Sequence, residues 1–325
     1  MKFRYFFDDY RSKIMGQFIK VIVSGLDNAG KTSILTALDK KYDFQKDIIS
    51  LTPTIRVEYQ ATEFLKNRIV FWDMGGQEKY RKLYQEKQDL YFSDTDLLVY
   101  IIDIQDTQRI EASLIYLDAI LQNFKKNQMD VPLIISFHKF DPELSGNEAI
   151  IEEVESLREH LLKKYPSFKI LFQQTSIYDI ISIIQLISYG LSVFDEKFFD
   201  LSELLEKYLI QFESESLILF DKNGIILSEF YKELIEPEIY IELIESIKEH
   251  LFLLKRMQEE SYETDYALSS IGDELISYLH RIELENESLF VSVIIKEKLK
   301  ESLLEKFSDF ISDLVKILKP LLTRT

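Results

Sequence analysis

Cysteine is absent from all 325 residues, which excludes disulfides and thiolate-held metal sites and fits a reducing compartment. Histidine occurs only four times, scattered, so a zinc site is not expected. Glycine (nine) and proline (six) are scarce, leaving little material for a loose linker between the two domains that a chain this long calls for. No apolar run is long enough for a signal peptide or a membrane span; the amino terminus, MKFRYFFDDYRSKIMGQF, interrupts its aromatics with charges. Residue 2 is Lys and the closing LKPLLTRT has no Cys, so neither myristoylation nor prenylation is written in. The expected location is cytoplasmic, peripheral to a membrane only through partners. Basic residues are also outnumbered. From residue 198 onward 27 acidic face 14 basic residues, a net −13, against −4 for the first 197, which disfavours nucleic acid as a partner.

What is present is ample apolar material, 46% of the residues, arranged in two rhythms. Through about residue 194, short strand-like runs alternate with helix-like segments, the pattern of an α/β sheet covered on both faces. The spacing predicts strands over 18–25, 55–65, 68–73, 96–103, 132–138 and 168–174. The second and third lie so close around Lys66 and Asn67 that they form an antiparallel hairpin at the edge of a mostly parallel six-stranded sheet. Beyond that the order becomes helix, hairpin, helix, hairpin, helix, a smaller α+β domain. Its hairpins turn at DKNG, with Gly224 free to take positive φ, and at ENES; its last helix, Leu299 to Leu318, is expected to stop at Pro320. The division is placed at 1–196 and 197–325.

The stretch GLDNAGKT, Gly25 to Thr32, follows a strand and opens a helix, the context in which a GxxxxGK[ST] string forms a phosphate cradle. Backbone N–H groups of Asn28, Ala29, Gly30, Lys31 and Thr32 would converge on a phosphate at a helix N-terminus, with Asp27 and Ser33 flanking them. Lys31 would bridge the β- and γ-phosphates, and the Thr32 hydroxyl would ligate Mg²⁺. Thr54 in TPTI could complete the metal shell. In WDMGGQ, Asp73 would hold the metal through a water, Gly76 would let its N–H approach the γ-phosphate, and Gln77 would orient the attacking water. At the other end, SFHKFD supplies Asp141, whose carboxylate can accept both edge donors of guanine, while adenine would leave that charge unpaired at a cost on the order of 1–3 kcal/mol. Lys139 would lie along the base. Ser176 would steady Asp141, and the segment through Ile177 would offer a backbone N–H to the base oxygen. The usual corner reads Asn-Lys-x-Asp. Here His138 must donate to the base N7 with one ring nitrogen, losing part of the amide's tether to the phosphate loop.

GLDNAGKT and WDMGGQ resemble the Arf and Rag branches of the Ras-like GTPase superfamily over about 170 residues, with Asp27 closer to Arf. The HKFD corner, TIRVE, QTSIYD and the opening hairpin ESESLILFDKNGIILSEFY are similar to Rag/Gtr-type GTPases, which add a roadblock/longin domain. The resemblance implies a GTP/GDP switch with Mg²⁺, slow turnover aided by activating and exchange factors, and pairing through the second domain. That pairing would be as a homodimer or with a related GTPase, and with roadblock/longin-type proteins. Two alternatives stay open: a GTP-binding scaffold with little hydrolysis, and an Arf-like membrane-trafficking GTPase with an appended domain.

Overall fold

The computed structural model describes residues 18–40, 45–144, 146–192, 197–232, 237–260, 264–271 and 274–323. The amino-terminal stretch and the 193–196 junction considered above lie outside them. The first half runs β1 (Phe18–Gly25), α1 (Lys31–Lys40), α2 (Gln45–Ile49), β2 (Val57–Phe64), β3 (Asn67–Met74), α3 (Glu78–Glu86), α4 (Gln88–Phe92), β4 (Leu97–Asp103), α5 (Ile110–Lys126), β5 (Leu133–His138), α6 (Glu148–Lys164), β6 (Ile170–Thr175) and α7 (Ile180–Ser192). Its strands form one sheet in the order β2-β3-β1-β4-β5-β6, parallel except for the β2–β3 hairpin. The hairpin turns through Leu65 and Lys66, both left-handed at φ 46° and 65°, a two-residue turn whose twist matches that of the strands. Arg56, also left-handed at φ 62°, explains why β2 begins at Val57 rather than Ile55.

The second half runs α8 (Lys197–Phe212), β7 (Ser216–Asp221), β8 (Ile226–Tyr231), α9 (Pro237–Glu259), β9 (Tyr266–Ile271), β10 (Leu275–Leu284), β11 (Glu287–Lys296) and α10 (Lys300–Leu322). Its five strands make one antiparallel sheet, β8-β7-β11-β10-β9. Two expectations need correction. The second hairpin is a three-stranded meander, because YALSSI (β9) pairs antiparallel with β10; its two serines and half-exposed edge position hid the period-two signal. The last helix does not stop at Pro320. Proline removes a single backbone donor so near the helix end, Thr323 N–H still reaches the Lys319 carbonyl, and Leu321 and Leu322 are buried, which holds the final turn.

Helix α7, IISIIQLISYGLS, is apolar nearly all round, and a helix of that kind has to be covered on every side. One face lies on β5 and β6; on the other Ser188 accepts a hydrogen bond from Ile226 N–H of β8, and Gln185 and Tyr189 both donate to Glu229. Because α7 serves both sheets, a single hydrophobic cluster runs from Val21 and Ile34 through Leu186 to Phe290 and Phe310. A second cluster, including Ile22, Tyr100 and Leu117, fills the opposite face of the first sheet. The β2–β3 turn is also held by the second half. Phe64 stacks on Phe198 at 5.9 Å, Lys66 Nζ donates to the Leu322 carbonyl, and Asn223 Nδ2 donates to the Glu63 carbonyl.

Candidate functional site

Parallel strands that start level also end level, and here every chemically distinctive residue falls at a carboxyl end. Val23 lies opposite Asp73, Asp103 opposite His138, and His138 opposite Thr175. β1 leads into the phosphate loop and α1, β3 into Gly75–Gln77, β4 into Gln105, and β5 into Lys139–Asp141. The loop is shaped by left-handed residues at Asn28 (φ 63°) and Gly30 (φ 92°), so successive N–H groups can face one concavity at the mouth of a helix. A cleft of about 280 Å³ opens there, bounded by the loop, Thr52–Thr54, Gly76 and Gln77.

At the phosphate end Lys31, Thr54 and Asp73 are buried and Thr32 is partly buried. Thr32 Oγ1 donates to Asp73 Oδ2 at 2.5 Å, Thr54 Oγ1 reaches the same oxygen at 3.2 Å, and the two hydroxyls are 2.9 Å apart. Asp73 Oδ1 is buried with no hydrogen-bond partner. Burial raises the Asp73 pKa against the opposing pull of Thr32, Lys31 and Thr54. A hard carboxylate oxygen without a donor, beside two hydroxyls, fits a divalent oxygen-loving cation such as Mg²⁺, which takes one or two protein oxygens and completes its shell from phosphate and water. Lys31 is buried as well. Its Nζ donates to the Leu26 carbonyl at 2.6 Å, and burial, only partly offset by Asp73 and Asp27, lowers its pKa to about 8. An ammonium held in this way is short of anionic partners, and a bound phosphate would supply them.

The segments expected to sense the nucleotide meet here. The Arg56 carbonyl accepts from Gly75 N–H and from Tyr84 OH, each at 2.6 Å, which ties the Thr54 side to the Gln77 side. Gln77 is the N-cap of α3 with extended backbone, and its side chain makes no cap bond. Gly76 rests on the phosphate loop itself: a Cβ there would lie 2.2 Å from Asp27 N, so the contact demands glycine. Two arginines that carry no sequence motif support this end. Arg81 Nε donates to the Gly76 carbonyl, and Arg109, from the short 3-10 turn Thr107–Arg109 before α5, pairs with the Asp27 carboxylate at 2.6 Å and with its carbonyl at 3.3 Å. Asp27 is therefore bound to Arg109, a partner that its place in the loop did not suggest.

At the base end, Asp141 Oδ1 accepts from Ser176 Oγ at 2.6 Å, the pairing expected from sequence, and Oδ2 accepts from Gln105 Nε2 at 2.9 Å, which was not expected. Lys139 Nζ donates to Asp103 Oδ2 at 2.6 Å. Ser176 N–H is taken by Ser182 Oγ and Ser176 Oγ also accepts from Tyr178 N–H, so the segment through Ile177 is held as a tight turn. His138 is buried; its Nδ1 pairs with Thr175 Oγ1 at 2.9 Å, and burial together with nearby Lys139 lowers its pKa to about 4, so the ring is neutral at pH 7. Its other edge faces Gly30, where a Cβ would lie 2.4 Å from Cδ2. The expected loss of a tether to the phosphate loop is thus met by direct packing on that loop. A larger groove, about 720 Å³ along the outside of β6, shares Ser176 with the site but not the loop or the Thr32–Thr54–Asp73 cluster. Among the described residues no helix is long and apolar enough to cross a membrane.

A P-loop opening a helix beside a carboxylate and two threonines, in a sheet with one antiparallel edge hairpin, defines a small nucleotide-binding switch domain. Its family follows from comparison. The ADP-ribosylation factor family profile matches residues 7–185, and the chain belongs to that family of small GTPases. It is 36% identical over 122 residues to ADP-ribosylation factor-like protein 3 of Chlamydomonas reinhardtii, covering 38% of this chain and 63% of that protein. It is 38% identical over 102 residues to ADP-ribosylation factor-like protein 5 of Caenorhabditis elegans, covering 31% and 52%. The match thus spans less than two thirds of either relative. Among solved structures, the Arl6 BBS3 small GTPase of Trypanosoma brucei with the nucleotide analogue GppNp aligns with a TM-score of 0.43 and 19% identity, over 55% of this chain and 97% of that one.

Proposed function

We propose that the chain is a guanine-nucleotide switch that binds GTP or GDP with Mg²⁺, hydrolyses GTP slowly, and reports its state through the second sheet. One observation carries this reading: Thr32 and Thr54, distant in sequence, meet on Asp73 and leave a buried carboxylate oxygen without a donor. Thr32 and Thr54 would hold Mg²⁺ directly and Asp73 through a water, and the metal supplies neutralisation of charge on phosphate oxygens. Lys31 exchanges the Leu26 carbonyl for phosphate oxygens. Gln77, whose side chain is not spent on capping α3, orients water, and Gly76 brings an N–H to the phosphate. Asp141 selects guanine, and the neutral His138 ring, with Nδ1 on Thr175 and its other edge on Gly30, holds the corner against the phosphate loop. Activating and exchange factors complete the cycle, with a GTPase activator contributing ~10³–10⁵-fold to turnover.

Support for the finer, Rag/Gtr-like part of this reading comes from the HKFD corner and from the second half, residues 197–325. There an opening hairpin, a long helix and a meander form one antiparallel sheet, as a roadblock/longin-type pairing domain would require. Its strands β8 and β9 lie at the two edges of that sheet, and pairing with a second copy, a related GTPase or a roadblock/longin-type protein would run through this second half. The family match, by contrast, concerns residues 7–185, so the switch half is Arf-type and the trafficking reading differs from the Rag/Gtr one only in what the second half contacts. Single-turnover hydrolysis of GTP by the full chain, wild type against Gln77→Leu, tests the enzyme. We expect the rate to fall at least about tenfold, in line with the contribution of a positioned group; an unchanged rate would leave the scaffold reading in its place.

A further inference from the structure

Resting on the guanine-site reading above, we propose that Gln105 is a positioning residue for base recognition, its carboxamide reaching from just past β4 to brace the base-reading corner at Lys139 and Asp141. A primary amide carries two N–H donors, and Gln105 Nε2 uses them on the Lys139 carbonyl at 2.8 Å and on Asp141 Oδ2 at 2.9 Å. Asp103 aims it, since Oδ1 accepts Gln105 N–H at 3.0 Å while Oδ2 holds Lys139 Nζ. Lys139 is left-handed at φ 62°, an uncommon state for a non-glycine residue, and both its carbonyl and its ammonium are tied down by this pair of residues. With Ser176 on Oδ1 and Gln105 on Oδ2, the plane of the Asp141 carboxylate is fixed by one donor on each oxygen.

The fixed plane matters because guanine presents two parallel donors, N1–H and the 2-amino group, which need both carboxylate oxygens at once. Hypoxanthine has only N1–H and tolerates a rotated carboxylate. His138 cannot do this work: its Nδ1 is engaged by Thr175 and its far edge lies against Gly30. Gln105 thereby acts on the base through Asp141, and its mark is discrimination between bases rather than stability alone.

The test measures release of GDP and of inosine diphosphate from the full chain with Mg²⁺ present, for wild type, Gln105→Ala and Gln105→Glu, the last keeping size while losing the donors. Gln105→Ala is expected to speed GDP release ~3- to 10-fold, the scale of one ordinary hydrogen bond because the effect reaches the base only through Asp141, with inosine diphosphate release changed less than about twofold. Gln105→Glu, which sets a carboxylate against Asp141 and Asp103, is expected to exceed the alanine effect. Equal acceleration of both nucleotides, or none of either, overturns the proposal, because a merely structural side chain would not alter the ratio. Wild-type protein that holds ADP as firmly as GDP would instead sink the guanine reading itself.

Discussion

The two ends of the nucleotide cleft are built on opposite electrostatic terms. At the phosphate end the charges are buried and under-partnered: Lys31 leans on a single carbonyl and Asp73 keeps one oxygen without a donor. At the base end the charges are only partly buried and are matched in advance, Lys139 by Asp103 and Asp141 by Ser176 and Gln105. Burial without partners costs free energy that a phosphate and a cation would return on binding, so under the proposed function the first end supplies affinity. Prearranged polar geometry adds little net energy but would reject the wrong base, so under the proposed function the second end supplies selectivity.

The largest expected effect removes the buried cation. Lys31→Ala should weaken GDP binding about 100-fold, the scale of a lost charge-assisted contact to phosphate, measured by titration calorimetry of nucleotide-free protein. The base preference should survive among whatever nucleotide still binds. A Lys31→Ala protein with lost guanine-over-adenine preference would show that the ends are not separable.

Gly30→Ala tests the place where the two ends touch. The new methyl would enter left-handed backbone at φ 92° and meet the His138 ring at 2.4 Å, and we expect a loss on the order of 2–3 kcal/mol in stability by denaturant unfolding. His138→Ala in the same chain should recover the steric part of that loss and none of the backbone part. Full recovery would mean that the φ value carries no strain, and no recovery that the ring does not determine the fit.

The phosphate end and the first sheet were the more legible parts of the sequence, for the same physical reason. GLDNAGKT, TPTI and WDMGGQ each act through contiguous backbone and one or two side chains, so spacing along the chain is the geometry. All six strands of the first sheet appear within two residues of expectation: β4 and β5, parallel and buried, are written as near-continuous apolar runs, and the exposed antiparallel edge β2 is marked by its short turn into β3. Gln105, Asp103 and Arg109 were not legible, since their roles come from strand ends brought level by register and no local pattern records that. Nor was β9, whose serines blur the alternation, or the shared core through α7, since an apolar helix does not announce how many sheets it serves.

A smaller effect separates the ends by pH. Lys31 has its folded pKa lowered to about 8 from an ordinary 10.5, so between those values the unfolded chain binds the proton and ligand-free stability rises with pH. Under the proposed function nucleotide binds the protonated ammonium, so affinity should fall over the same window, by up to about tenfold per pH unit. Thermal unfolding with and without GDP from pH 7 to 10 reads both: the ligand-induced shift should shrink above pH 8 as the ligand-free midpoint improves. His138, lowered to about 4, predicts no step in affinity from pH 5.5 to 7.5, and one centred near 6.5 would show that its ring is solvated.

The smallest expected effect lies outside both ends, at the turn of the β2–β3 hairpin. That hairpin joins Thr54 to Gly76 directly, and its far tip is tied to the second half by Lys66 on Leu322 and by Asn223 on Glu63. If nucleotide orders the two segments, the hairpin between them is the only covalent route by which the change reaches that tip. Asn223→Ala removes a polar contact worth roughly 1 kcal/mol and should leave GDP affinity within about twofold. Hydrogen exchange gives the decisive readout. In the wild type, exchanging GDP for a non-hydrolysable GTP analogue should alter protection in β7 and β8 as well as around Thr54 and Gln77, and in Asn223→Ala the change in β7 and β8 should diminish while the one at the site persists. Equal changes in both proteins would mean that the second half does not sense the hairpin through Asn223.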